Sequence, residues 1–426
     1  MEDVVLRSNK NEGVSDDELL AALKKTLENK GSLKKVLLIP PDFTRLYSGA
    51  GKIVGLYYDL LKSSCQVDII PAIGTHEAMS ETEVKEFFGG SVPIECIIVH
   101  NWREDVVKIG EVPGEFVEKV SDGLLNNHID VEVNKLLLDK SYDLIISVGQ
   151  VVPHEVVGMA NYSKNIFVGC GGSNMINQSH MLGAFYGAER IMGKDFSPVR
   201  KVFDYAEEHF IQDIPLMYVL TVTTNTGSKT NIHGLFAGRN RRLFEEAVKL
   251  SQAKNIIFVE KPLTKVVAFL DEREFKTTWV GNKSVYRSRM AIADGGELIV
   301  LAPGVRKFGE DPDNDKLIRK YGYVGRKKVL ELVKTKEDLQ QNLSSAAHLI
   351  HGSCDDKFSI TYAVKNISKE EIESVNYKYM SYEEACNIYH PEKLKDGFNT
   401  LDNGEVIYYI SNPALGLWAS KDRFEQ

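Results

Sequence analysis

Short apolar runs alternating with amphipathic stretches dominate the first half of the chain. Residues 35–39, 67–70, 94–99, 144–148 and 166–168 are nearly uniformly apolar, the pattern of strands buried on both faces of a parallel sheet. Residues 16–29 carry the spacing of an amphipathic helix, opened by Ser15-Asp16-Asp17-Glu18, which reads as an N-terminal cap. Strands alternating with helices predict an α/β fold. A further apolar run at 255–259 precedes Glu260-Lys261-Pro262. Beyond it, a helix over 282–293, the turn Asp294-Gly295-Gly296 and a strand over 297–302 predict a second α/β unit, and Pro303-Gly304 with the polar stretch 307–316 predicts a loop. The expectation is two α/β domains. A Rossmann-like parallel sheet occupies 1–270, and a smaller α/β domain at 271–400 faces it across a cleft. A tail at 401–426 is free to pack back on the first domain.

Composition narrows the class. The 426 residues allow two or three domains at about 150 residues each. The 43% hydrophobic and 26% charged content is that of a globular protein. With 52 Lys+Arg against 60 Asp+Glu the net charge is −8, which argues against a non-specific nucleic-acid binder but leaves room for a local basic pocket. No apolar run approaches the ~18 residues of a membrane span, and the start Met1-Glu2-Asp3-Val4-Val5-Leu6 lacks the pattern of a signal peptide. Cys65, Cys96, Cys170, Cys354 and Cys386 are scattered and form no CxxC pair, which fits a reducing cytoplasm. The expected protein is cytoplasmic, without nucleic-acid or membrane partners; a homo-oligomer stays open.

The segments after the predicted strands carry the chemistry. They are Pro40-Pro41-Asp42-Phe43-Thr44-Arg45, Gly74-Thr75-His76-Glu77, His100-Asn101-Trp102-Arg103, Gly149-Gln150-Val151-Val152-Pro153-His154 and Gly169-Cys170-Gly171-Gly172-Ser173-Asn174. Ligands of open α/β sheets bind beyond the carboxyl ends of strands, so these residues can converge. Asp42 and Arg45 either brace each other at an anion, which the planar guanidinium fork suits, or form a turn in which Asp42 caps a helix. His76 is either an acid–base group or a hydrogen-bonded loop residue. His154, Lys164 and His180 follow in order. Lys164 lies directly before an apolar run, where a cation is costly unless neutralised or covalently modified; the plainer reading is a snorkelling lysine. His180 starts or lines a helix and suits a lone metal ligand or a capping residue. The glycine run 169–172 could cradle a phosphate, yet neither GxGxxG nor GxxxxGK[ST] is present. Lys283 and Arg287 lie one helical turn apart. With Arg289 they form either a solvated face or an anion-holding surface.

At these residues the chain resembles the nickel-pincer lactate racemase family. Pro41-Asp42-Phe43-Thr44-Arg45, Gly74-Thr75-His76, the His154/Lys164/His180 spacing and Gly295-Gly296 carry the resemblance, which extends in motif order over nearly the whole chain. It implies a pyridinium-derived nickel-pincer nucleotide attached to Lys164, with His180 ligating nickel and His76 and His154 as the two acid–base residues. Asp42, Thr44 and Arg45 fall at the cofactor or substrate, and Lys283 anchors the substrate. It also implies partner enzymes that synthesise the cofactor, and cofactor-free protein where those are lacking. The activity implied is racemisation or epimerisation of a small 2-hydroxy acid by reversible hydride removal, which avoids a carbanion beside a carboxylate.

Two stretches depart from the lactate-type pattern. Asn161-Tyr162-Ser163-Lys164-Asn165 replaces a glycine-rich stretch, and Trp279 and Val280 replace a tyrosine and a glutamine. With Arg287 and Arg289 nearby, a polyhydroxy (aldonic) acid such as gluconate is the favoured substrate, lactate or another short 2-hydroxy acid the alternative. Two other classes stay in view. A nicotinamide-dependent dehydrogenase is opposed by the missing GxGxxG, and a non-catalytic sugar-acid binding protein has no need of two titratable bases.

Overall fold

The computed structural model describes residues 3–226 and 229–425. It divides into two compact units, one running to Ser179 and resuming over 193–255, the other comprising 180–192 and the chain from Ile256 onward. No helix among the described residues is long and apolar enough to cross a membrane.

The first unit is built on a six-stranded sheet. Its strands are β1 (Val4–Arg7), β2 (Lys35–Ile39), β3 (Gln66–Ile69), β4 (Leu144–Gln150), β5 (Leu216–Thr226) and β6 (Lys229–Gly238), in the order β1-β6-β5-β4-β2-β3. The run β5-β4-β2-β3 is parallel, whereas β6 and β1 add antiparallel edges. The sheet is therefore Rossmann-like in its parallel half and mixed overall. Helices α1 (Asp16–Leu27) and α2 (Ala50–Leu61) cover it with Leu19, Leu23, Ile53, Val54 and Tyr57. The Ser15/Glu18 capping box expected from sequence is present.

Two predicted strands take other forms. Residues 94–99 begin as a 3-10 turn, Ile94–Cys96, and only Ile97 bridges to Ile69. Val99 is exposed, so the run has one buried face at most. Residues 166–168 lie in a buried π-helical turn, Asn165–Gly169, closed by the Cys170 N–H donating to the Asn165 carbonyl at 2.9 Å. A short apolar run buried all round has no periodicity to separate strand from helix.

The second unit carries another six-stranded sheet, with β7 (Leu263–Phe269), β8 (Ile292–Ala302), β9 (Ser359–Val364), β10 (Lys378–Ser381), β11 (Gly397–Thr400) and β12 (Val406–Ile410) ordered β10-β9-β8-β7-β12-β11. All neighbours are parallel except β11 with β12. The helix expected over 282–293 is two short pieces, Thr278–Gly281 and Lys283–Ser288, because the chain turns into β8 at Ile292. The tail, left free to pack back on the first domain, is grouped with the second unit. Ile407 and Tyr409 of β12 enter its core, and Leu417–Ser420 pairs in parallel with Ile256–Val259. The boundary expected near 270 falls at Asn255/Ile256, where the strand Ile256–Val259 opens the second unit.

Candidate active site

Adjacent parallel strands β2 and β3 bring Asp42 and His76 together. Pro41 bridges to Ala72 just past the strand ends, and His76 follows in a turn closed by its N–H donating to the Ile73 carbonyl. Asp42, 5% exposed, caps the 3-10 helix Phe43–Ser48. Its Oδ1 accepts from the Thr44 N–H at 3.1 Å and the Thr44 hydroxyl at 2.5 Å. Its Oδ2 accepts from His76 Nδ1 at 2.5 Å. The capping reading of Asp42 therefore holds, together with a contact the sequence did not suggest. Burial pushes the Asp42 carboxyl up, but the His76 hydrogen bond and charge, the Thr44 hydroxyl and the Arg45 guanidinium together hold it below the usual carboxylate range. A carboxylate on Nδ1 fixes that proton and leaves the lone pair of the neutral ring on Nε2. The His76 ring is 60% exposed, so a ligand can reach it.

Lys164 is the second element. It follows Asn161 (φ 66°) and Tyr162 (φ 57°), two consecutive non-glycine residues in left-handed backbone, a costly conformation that surrounding contacts must impose. The Asn161 Oδ1 accepts from the Tyr162 N–H at 2.6 Å, and the Tyr162 ring stacks on Phe244. On the far side of Lys164, the Asn165 side chain donates to Ser147 Oγ and the Val148 carbonyl of β4. Lys164 is partly exposed. Desolvation brings its ammonium down to about 8; Arg45 and Arg200 push the same way, while Glu155 and Asp42 oppose.

His154 is buried, and its Nδ1 accepts from the Val156 N–H at 3.1 Å. The neutral ring therefore carries its proton on Nε2, the reverse of His76. Glu155 Oε2 lies 3.7 Å from His154 Nδ1.

The glycine run 169–172 does not leave a free helix end for phosphate. The Asn174 N–H at the start of helix Ser173–Tyr186 donates to Glu132 Oε2 at 3.1 Å, and a Cβ at Gly172 would lie 2.3 Å from that oxygen. His100 holds the run from beside it. Its Nε2 meets the Gly171 carbonyl and its Nδ1 meets Asn134 Nδ2, both at 3.0 Å. His180 lies on the helix Ser173–Tyr186, in the segment that belongs to the second unit.

Within the second unit Lys283 opens the helix Lys283–Ser288 and sits 5.8 Å over the Phe275 ring. Trp279 stacks on His348 at 4.1 Å, and His348 Nε2 is 3.0 Å from the Tyr323 hydroxyl. Arg289 is committed to Glu189 at 2.9 Å and Asp355 at 2.8 Å. Arg287 is buried, with Nη1 donating to the Gly416 carbonyl at 3.2 Å. Arg289 is thus shared between two carboxylates, while Arg287 Nη1 is directed at a backbone carbonyl.

In the first unit, then, Asp42, Thr44, Arg45, His76 and Lys164 interact as one cluster, with Glu155 tying His154 to it. The Asp42–His76 pairing and Arg200 were not legible in the sequence. Their partners lie 34 and 37 residues away along the chain.

Residues 11–192 match the family described as the lactate racemase N-terminal domain. No curated protein matches the chain. A crystal structure of a protein from Thermotoga maritima has 24% identity and a TM-score of 0.81, covering 98% of this chain and 100% of that one. The lactate racemase apoprotein from Thermoanaerobacterium thermosaccharolyticum has 17% identity and a TM-score of 0.69 over the same shares. The chain is thus similar to the lactate racemase N-terminal domain over residues 11–192, and its fold is shared over nearly its whole length with the lactate racemase apoprotein.

Proposed function

We propose that the protein is a racemase or epimerase of 2-hydroxy carboxylic acids that works with a nickel-pincer nucleotide carried on Lys164. The observation that carries this reading is Lys164 itself. A lysine drawn down to about 8 offers a substantial fraction of neutral amine near pH 8, which acyl-type attachment requires. An amide-like link there also removes a charge that burial opposes. His180 supplies an imidazole for nickel, and Arg45 a fork for the nucleotide phosphate. When bound, the group supplies the hydride acceptor for the substrate α carbon.

The chain's residues handle protons and orientation. His76 Nε2, held as the lone-pair nitrogen by Asp42, accepts the hydroxyl proton of one stereoisomer. His154 faces the oxygen of the 2-oxo acid on its own side and, as the imidazolium, returns a proton to it, which leaves the neutral ring. The two rings exchange the roles of base and acid when the reaction reverses. The Lys283 ammonium holds the substrate carboxylate. A polyhydroxy (aldonic) acid is the favoured substrate. Trp279, flat against His348 and four residues before Lys283 in the sequence, supplies a wide plate that suits a longer chain than lactate's methyl group.

The test is intact mass with metal analysis on protein co-expressed with the pincer-synthesis enzymes, followed by turnover of gluconate, malate and lactate. The expected result is a nickel-bearing adduct mapped to Lys164 and turnover of an aldonate. Unmodified, nickel-free protein that still epimerises hydroxy acids would overturn the cofactor assignment, and turnover of lactate alone would overturn the substrate.

A further inference from the structure

Arg200 has no place in the chemistry above, yet it is fully buried at 0% exposure. It lies in the helix Pro198–Phe210, capped by Ser197. Its guanidinium reaches back to the loop that precedes Lys164. Nη1 donates to Ser163 Oγ at 2.7 Å, and Nη2 donates to the Met159 carbonyl at 2.7 Å and the Asn161 carbonyl at 3.1 Å. No carboxylate lies within 4 Å of it among the described residues; the aromatic face of Phe244 lies 4.5 Å from its Cζ. Burial lowers its affinity for the proton, but arginine stays charged in proteins. A buried cation bonded only to neutral oxygens, with its Nε left without a hydrogen-bond partner, is an expensive arrangement for stability alone. Carboxylates are close at hand, since Asp195 and Asp204 pair with Arg241 instead.

All three acceptors belong to the short stretch that holds the left-handed pair Asn161–Tyr162. We propose that Arg200 is a positioning residue for the Lys164 amine: its fork clamps the 159–163 loop in this strained form and thereby holds Lys164 in a site where it is an acylatable nucleophile before any cofactor arrives. Arg200 holds the residues before Lys164 and Asn165 is held to β4 just after it, so Lys164 lies between two fixed points. The charged groups acting on the amine are Arg45, Glu155, Asp42 and Arg200, and only Arg200 also bonds the loop that carries it. The inference rests on Lys164 being the attachment residue, but it predicts a property of the unloaded chain.

The experiment is pulse acetylation of the purified full-length protein with N-hydroxysuccinimide acetate across pH 6.5–10.5. Each lysine is quantified by peptide mass spectrometry, and the surface lysine Lys108 serves as internal reference. Acetylation joins the amine nitrogen to the acetyl carbon and releases N-hydroxysuccinimide with the amine proton. In the parent protein Lys164 should label with a midpoint near 8, against about 10.4 for an ordinary lysine. Arg200→Lys keeps a positive charge but loses the fork. It should move the Lys164 midpoint toward the ordinary range and cut labelling at pH 8 by about tenfold or more, with Lys108 unchanged. Retention of the parent profile in folded Arg200→Lys overturns the proposal and reduces Arg200 to a point charge. Should Arg200→Lys not fold, Ser163→Ala removes a single acceptor. A shift in the same direction supports the clamp, and an unchanged profile overturns it. Failure of the attachment reading is seen separately, as absence of an adduct on Lys164 in co-expressed protein whose labelling profile is as expected.

Discussion

Lys164 in the first unit and Arg289 in the second are both cations in poorly solvated surroundings, and they are treated in opposite ways. Arg289, with a side chain 4% exposed, is fixed between Glu189 and Asp355. Burial pushes the Glu189 carboxyl up, but Arg289 and Lys357 hold it below the usual range. Lys164 has no ion-pair partner within 4 Å among the described residues; Glu155 and Asp42 pull its proton affinity up only against desolvation and Arg45. Pairing a buried charge preserves the charge and ties segments together. Leaving it unpaired makes the neutral form accessible, which is what a nucleophile needs. The paired arginine ties segments together, whereas the lysine without an ion-pair partner is the one on which the proposed function rests.

Four substitutions or titrations can break this contrast. The largest effect is expected from Lys164→Met, which should abolish the adduct and all turnover while the protein still unfolds cooperatively; intact mass and a thermal melt check it, and residual turnover sinks the assignment. Next, Asp42→Asn should lower kcat by about 100-fold or more, since an amide no longer secures the Nδ1 proton of His76. The matching readout is the pH–rate profile, and an unaltered kcat separates Asp42 from the reaction. Third, Glu189→Gln should cost about 2 kcal/mol of stability, measured by urea unfolding, because Arg289 remains buried with half its partners. Replacing Lys164 has no such cost.

The smallest effect is a pH dependence. The folded value of Lys164 is about 8 and the unfolded value about 10.4. Between them the folded state binds fewer protons, so stability rises with pH through that window, and below about 8 the burial penalty is present in full. Discounted for partial exposure, the difference between the parent and Lys164→Met should change by about 2 kcal/mol or less from pH 7.5 to 10. A flat difference shows that Lys164 is solvated.

The chain's pattern of apolar runs was enough for the α/β class, for β2 at its exact limits, and for β3 and β4 to within two residues. β2 and β4 are buried on both faces, and their composition says so directly, whereas the edge strand β3 keeps Gln66 exposed and Asp68 partly so. The cap of α1 was equally legible, because a capping box is made entirely of residues within one turn. Asp42, His76 and His154 stand out in the sequence as polar residues that follow apolar runs, and Lys164 as one that precedes such a run. What could not be read was pairing. That Asp42 holds His76, that Val156 sets the tautomer of His154, and that Arg289 is an ion-pair centre depend on which segments meet. The π-helical turn before Cys170 escaped for a related reason: three buried apolar residues look alike in any backbone form. Arg200 gave no signal at all, being a polar residue among the apolar positions of an amphipathic helix. Local pattern records how each segment meets water, and the sequence by itself determines that much. Which donor finds which acceptor, and hence which charge is held and which is set free, is decided only when strands 30 or more residues apart close into one sheet and exclude the solvent between them.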